Sequence, residues 1–178
     1  MFRYSLIFGS IIGVVVIAFM LVVMLVVGTD NLGMSELMGY VVMLAVLSLV
    51  FIGIKRFRDV EHGGVIKFSQ ATAVGAGIAA VAGVFYVISW EAFLYATDFA
   101  FVDTYSESMK AGIEAQVLSA DERAAKLAEV DASMENYANP LFRIPITFIE
   151  IFPVGLVVAL ISAFILKNPK VLPARASV

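Results

Sequence analysis

Two carboxylates stand inside runs that are otherwise uncharged and strongly apolar. Glu91 follows Trp90 near the end of the stretch Phe68–Tyr95, and Glu150 sits in the stretch Ile144–Leu166. A charged residue at the centre of a membrane helix costs about 2.5 to 3.5 kcal/mol on insertion scales and is often functional. If the two stretches are helices of opposite direction, each glutamate lies a few residues from the same membrane face, so the pair shares a depth. Facing inward, the two could share a proton or hold a cation, with Tyr86 and Trp90 completing a proton, cation or ligand site. Pointing elsewhere, each would meet headgroups or water, or pair with Arg143 just outside.

A second cluster lies in the segment 55–67, which holds Lys55, Arg56, Arg58 and Lys67 around His62-Gly63-Gly64. Arg56, Arg58, His62 and Lys67 are candidates for an anionic headgroup or phosphate. The same segment also serves as a tight turn between helices, where glycine permits positive φ and no ligand is needed. Other chemistry is narrowed by composition. The chain has no Cys and one His, which excludes disulfides, thiolate chemistry and a multi-His metal centre within one chain. No D-x-D-x-D spacing marks a calcium loop, and Gly75-x-Gly77 lies within an apolar run without a preceding strand, so it is no nucleotide fingerprint. No metal, cofactor or nucleic-acid partner is expected.

The elements that must position these residues are membrane helices. Of 178 residues 61% are hydrophobic and 15% charged, and the mean hydropathy is +0.96, far above that of a soluble domain. Four spans are expected, at about 6–28, 37–54, 69–95 and 144–166. For the first, a cleavable signal peptide is the competing reading, but the run exceeds an ordinary signal h-region and no A-x-A-like site follows. A polar turn with Asp30 and Glu36 joins the first two spans. Pro145 suits a first helical turn, whereas Pro153 should kink or loosen the last span.

The third span is built on small residues. Ala71, Gly75, Ala79 and Gly83 recur every fourth position, which on a helix makes a nearly bare face for close packing. Gly9 and Gly13 form a G-x-x-x-G pair in the first span, read as packing within the monomer or as a dimer face.

Residues 96–143 form an insertion. Nine carboxylates face three basic residues between Ala96 and Asn139, so this part belongs outside. Ser119 with Glu122 matches a capping box, and Leu127, Val130, Met134 and Tyr137 follow at helical spacing, so an amphipathic helix is expected from Ala120 to about Tyr137, with a shorter one before it. The pair could cover the outer mouth of the bundle or lie on the lipid. Arg3, the four basic residues of 55–67 and Lys167, Lys170 and Arg175 place both termini in the cytoplasm.

Arg58-Asp59, Gly63-Gly64 and Phe68 after two spans, an aromatic-Trp-Glu end to the third, and Phe148-Ile149-Glu150-Ile151-Phe152-Pro153-Val154-Gly155 with Leu160-Ile161-Ser162 behind it resemble the bacterial membrane proteins grouped as domain of unknown function 4199. The resemblance covers nearly the whole chain. It implies four spans with an extracytoplasmic insertion before the last, and no activity.

The expected protein is an all-α, single-domain membrane bundle of four helices with a small helical cap, in a bacterial inner membrane. A non-enzymatic accessory or assembly role leads, since short spans leave little interior room and no nucleophile, metal or phosphate-loop pattern is present. Its partners would be membrane lipids and a membrane protein or a second copy of itself. A proton- or cation-coupled carrier using Glu91 and Glu150 is the first alternative. A lipid-modifying enzyme with those glutamates as acid and base is the second.

Overall fold

The computed structural model describes the backbone over residues 1–27 and 36–174. Seven helices follow in order: α1 (Phe2–Val27), α2 (Glu36–Leu47), α3 (Leu49–Glu61), α4 (Phe68–Ala96), α5 (Ala100–Glu114), α6 (Ala120–Ala138) and α7 (Pro140–Leu166). The polar turn expected between the first two spans, residues 29–35, and Arg175 lie outside the described residues.

The small face of α4 receives α7. A Cβ built on Gly75 would stand 2.6 Å from the Ala159 Cβ, and one on Gly155 would stand 2.7 Å from the Ala79 Cβ. Each four-residue step forward along α4 is therefore matched by four residues backward along α7. The helices run antiparallel, with bare surface against bare surface, the packing device of helices in lipid. At Gly83 the void is filled by the Phe148 ring.

The opposite side of α4 meets α1 in parallel register, with Gly77 against Ser5, Gly9 against Val81 and Gly13 against Phe85. Gly9 and Gly13 are thus occupied within the monomer by side chains of α4. Helix α3 closes the bundle, touching α1, α4 and α7. The core formed by Ile12, Val50, Ile54, Val74, Ile78 and Leu166 is fully buried, whereas Val14, Ile88, Ile149 and Phe164 are exposed.

Three helices are long and apolar enough to cross a membrane, α4, α7 and α1 over Phe2–Phe19. The protein is membrane-embedded and all-helical among the described residues. The expected span 37–54 is not one helix of that length: it is divided between α2 and α3 at Ser48, whose hydroxyl turns back onto the Ala45 carbonyl at 2.6 Å. A serine bonded to its own preceding turn competes with helix continuation. Helix α7 also begins earlier than expected, at Pro140. Asn139 caps it, accepting from the Leu141 N–H at 3.0 Å, and proline at the first position suits a helix start. Both Pro145 and Pro153 then lie inside a helix that continues past them, leaving the carbonyls four residues earlier without their usual N–H donors.

The expected capping box is present, with the Ser119 hydroxyl accepting from the Glu122 N–H and the Glu122 carboxylate accepting from the Ser119 N–H. Donors at the helix start hold the Glu122 carboxyl below its ordinary value. Helices α5 and α6 pack on each other, with an ion pair between Lys110 and Asp131. The shorter helix expected before α6 is longer than its apolar positions suggested, starting at Ala100. Together they form a hairpin over the bundle end.

Candidate functional site

The register of α4 on α7 decides what stands at the capped end. Carried on from Ala79 and Gly155 by three more steps of four, it brings residue 91 opposite residue 143. Arg143 donates from Nε and Nη2 to the two carboxylate oxygens of Glu91, each at 2.7 Å. Its Nη1 donates to the carbonyls of Tyr137 and Ala138 at 3.1 and 3.3 Å, the last turn of α6, where unpaired carbonyls favour a cation. The rings of Phe99 and Tyr137 lie 5.1 and 5.8 Å from the guanidinium carbon. The side chain is fully buried, yet its charge is met by a planar, bidentate partner, the arrangement that makes a buried arginine tolerable.

Phe99 reaches that place through an unusual turn. Asp98 and Phe99 both adopt positive φ, 47° and 61°, a left-handed conformation that is uncommon for a bulky residue. The turn reverses the chain between α4 and α5 and sets the ring over Arg143. The knot therefore ties four pieces together: α4, the α4–α5 turn, the end of α6 and the start of α7.

Beneath the hairpin lies a cleft of about 540 Å³. Helices α1, α2, α4 and α7 supply its apolar walls, and Phe101, Tyr105, Met134 and Tyr137 of the cap close it from above. Tyr86, Trp90 and Glu150 line it. Trp90 donates from Nε1 to the Tyr137 hydroxyl at 2.7 Å, and its ring meets Phe101 edge-on with 5.2 Å between centroids. Burial raises the Tyr137 hydroxyl above its ordinary value, so it carries its proton at neutral pH. Glu150 is exposed to the cleft and makes no hydrogen bond or ion pair among the described residues.

The four residues expected to share a site are thus divided. Tyr86, Trp90 and Glu150 meet at the cleft, while Glu91 is turned to Arg143 and is absent from the lining. The paired-glutamate arrangement is corrected on that ground: Arg143, inside the first turn of α7, satisfies both oxygens of Glu91. Sequence reasoning placed Tyr137 on an apolar stripe without a role. Pairing with Arg143 is one of the alternatives that the sequence offers to either glutamate, and the constant four-residue spacing of small residues on α4 and α7 is the signal that selects Glu91 for it.

The inner cluster is likewise divided. Arg58 is fully buried and donates to the carbonyls of Leu166, Val171 and Leu172 at 3.4, 2.9 and 2.5 Å, closing the end of α7 and the chain beyond it. It also donates to Asp59 at 2.7 Å, which pairs with Lys55 in addition. Burial pushes the Asp59 carboxyl up, but hydrogen bonds from Lys55 and Arg58 outweigh this and hold it below its ordinary value. Arg58 is therefore unavailable to a headgroup, which corrects that expectation; its donors are occupied by backbone. Gly63 and Gly64 take positive φ, 58° and 90°, and the Gly64 N–H bonds back to the Arg58 carbonyl at 3.1 Å, a helix end that glycine makes possible. His62 packs edge-on against Phe57. Arg56 and Lys67 remain exposed.

Among the described residues no group of three or more His, Asp or Glu could hold a metal ion. Neither a curated protein nor a solved structure matches this chain. The family model described as "Protein of unknown function (DUF4199)" matches residues 7–168, nearly the whole chain and in agreement with the motifs of its central turn and last helix, and the protein belongs to that family.

Proposed function

We propose that this is a non-enzymatic accessory protein of a bacterial inner membrane that holds an amphiphilic lipid-like ligand in the cleft beneath its cap. In this reading α2 and the apolar start of α3, over about 37–54, make the remaining span, so the chain crosses four times with both termini in the cytoplasm and residues 96–143 outside. Lys55, Arg56, Lys67, Lys167 and Lys170 on one side, against the acidic hairpin on the other, support that orientation.

The observation that carries the proposal is the cleft itself. Small-residue packing of α1, α4 and α7 leaves little interior room lower in the bundle, but under the cap the walls part into about 540 Å³ of mainly apolar space. That volume falls in the range of roughly 300–1,000 Å³ found for small-molecule pockets. Apolar walls with a few converging polar groups are the usual make-up of a small-molecule site. The ion pair of Glu91 with Arg143 counts against a carrier in which Glu91 and Glu150 share a proton, and against an acid–base pair formed by them.

The test is gentle extraction of the tagged protein followed by mass spectrometry of what stays bound. An amphiphile retained by the wild type and lost from Val46→Trp, which fills the cleft, is the expected result. Identical lipid content in both proteins would overturn the proposal. A stoichiometric membrane-protein partner with no retained lipid would move the role to assembly.

A further inference from the structure

The cleft has a charge preference that its shape alone does not reveal. Among the described residues its lining contains one carboxylate, Glu150, and no basic side chain. The nearest arginine by register, Arg143, stands seven residues earlier on α7, about 10 Å away along the axis at 1.5 Å per residue. It is fully occupied by Glu91 and by the carbonyls of α6. Nothing among the described residues neutralises Glu150, and a lone carboxylate facing apolar walls is costly.

The other polar groups of the cleft do not change that balance. Trp90 and Tyr137 are bonded to each other, which leaves mainly ring surface for a ligand. Tyr86, Trp90, Phe101, Tyr105 and Tyr137 line the same space. Aromatic rings carry negative charge on their faces and attract cations, most strongly away from water. A carboxylate without a partner among aromatic residues is the setting in which an organic cation gains from both effects. An anionic head would meet the Glu150 carboxylate and ring faces of the same sign, and a plain hydrocarbon would leave Glu150 unpaired.

We infer that the ligand of the cleft is an amphiphile with a cationic head, an alkylammonium or quaternary ammonium group held at Glu150 among the aromatic side chains with its chain along the apolar wall. The inference rests on the proposed ligand-holding role and adds the chemistry of the head.

Trp90 is the single tryptophan of the chain, so its emission reports on the cleft alone. Purified protein in maltoside micelles is titrated with dodecyltrimethylammonium, dodecanol and dodecyl sulfate, three probes of equal chain length. The cation should perturb Trp90 at a concentration about tenfold lower than dodecanol, with dodecyl sulfate weakest. Glu150→Gln should erase the preference for the cation while leaving dodecanol unchanged. Equal response to cation and alcohol in the wild type overturns the inference but leaves the ligand-holding role standing. No response to any probe removes both. The wild-type comparison decides the matter even if Glu150→Gln does not fold.

Discussion

Two fully buried arginines hold opposite ends of α7, and they do so by different means. Arg58 comes from α3 and closes the last turn of α7 by donating to backbone carbonyls, with Asp59 at its side. Arg143 belongs to the first turn of α7 and is answered by a carboxylate 52 positions away in the chain, Glu91 of α4. The inner arrangement uses backbone carbonyls, that of Leu166 at the helix end and those of Val171 and Leu172 in the chain beyond it. The outer one adds to two carbonyls of α6 a carboxylate that the packing register brings into place. Tying a knot from one specific partner makes that end sensitive to substitution, and it frees Glu150 from any arginine.

That contrast can be broken most severely at the outer end. Glu91→Gln leaves the Arg143 guanidinium buried without its anion, and the expected loss is about 3–5 kcal/mol, read as a lower transition in thermal or detergent-titration melts. Adding Arg143→Met should restore a large part of it; a double variant as unstable as the sum of its parts would show that the ion pair is not what matters. At the inner end Arg58→Met should cost less, about 1–3 kcal/mol, because water can reach the freed carbonyls beyond Leu166. Its clearer signature is faster tryptic cleavage after Lys167 and Lys170.

The register itself is tested by adding one methyl group at a time. Gly75→Ala forces backbone apart at Ala159, whereas Gly83→Ala meets the Phe148 ring, which can rotate away. The first should destabilise by about 1–3 kcal/mol and the second by less; the reverse order would refute the alignment of α4 on α7. The smallest effect expected is the pH response of Asp59. Its folded value is depressed, so its contribution is present above the ordinary carboxyl range and lost as pH falls through the lowered value. Wild type should therefore lose about 0.5–1 kcal/mol more than Asp59→Asn on acidification below pH 4.

Much of the frame was legible before any coordinates. Apolar runs of sufficient length located α1, α4 and α7, and the Ser119–Glu122 pair located the start of α6 to the residue, because these signals act within a few positions of the chain. The split of 37–54 at Ser48 was not legible, since a serine in an apolar run is as compatible with a continuous helix as with a break. The buried state of Arg58 was hidden for a similar reason: a basic residue in a basic turn reads as solvent-facing until the carbonyls that receive it are known.

The candidate site divides in the same way. Composition and spacing alone determined that the chain is helical and membrane-embedded, that Glu91 and Glu150 lie within apolar helices, and that α4 carries a face bare enough for close approach. Tertiary structure alone decided which partner each glutamate has. A shift of α7 by one turn would move Arg143 away from Glu91 without altering any local preference, so the choice rests on how Gly75 meets Ala159 and Ala79 meets Gly155. Helix formation depends on neighbours three or four positions apart, whereas the pairing of Glu91 and the isolation of Glu150 depend on the packing of two helices distant in sequence.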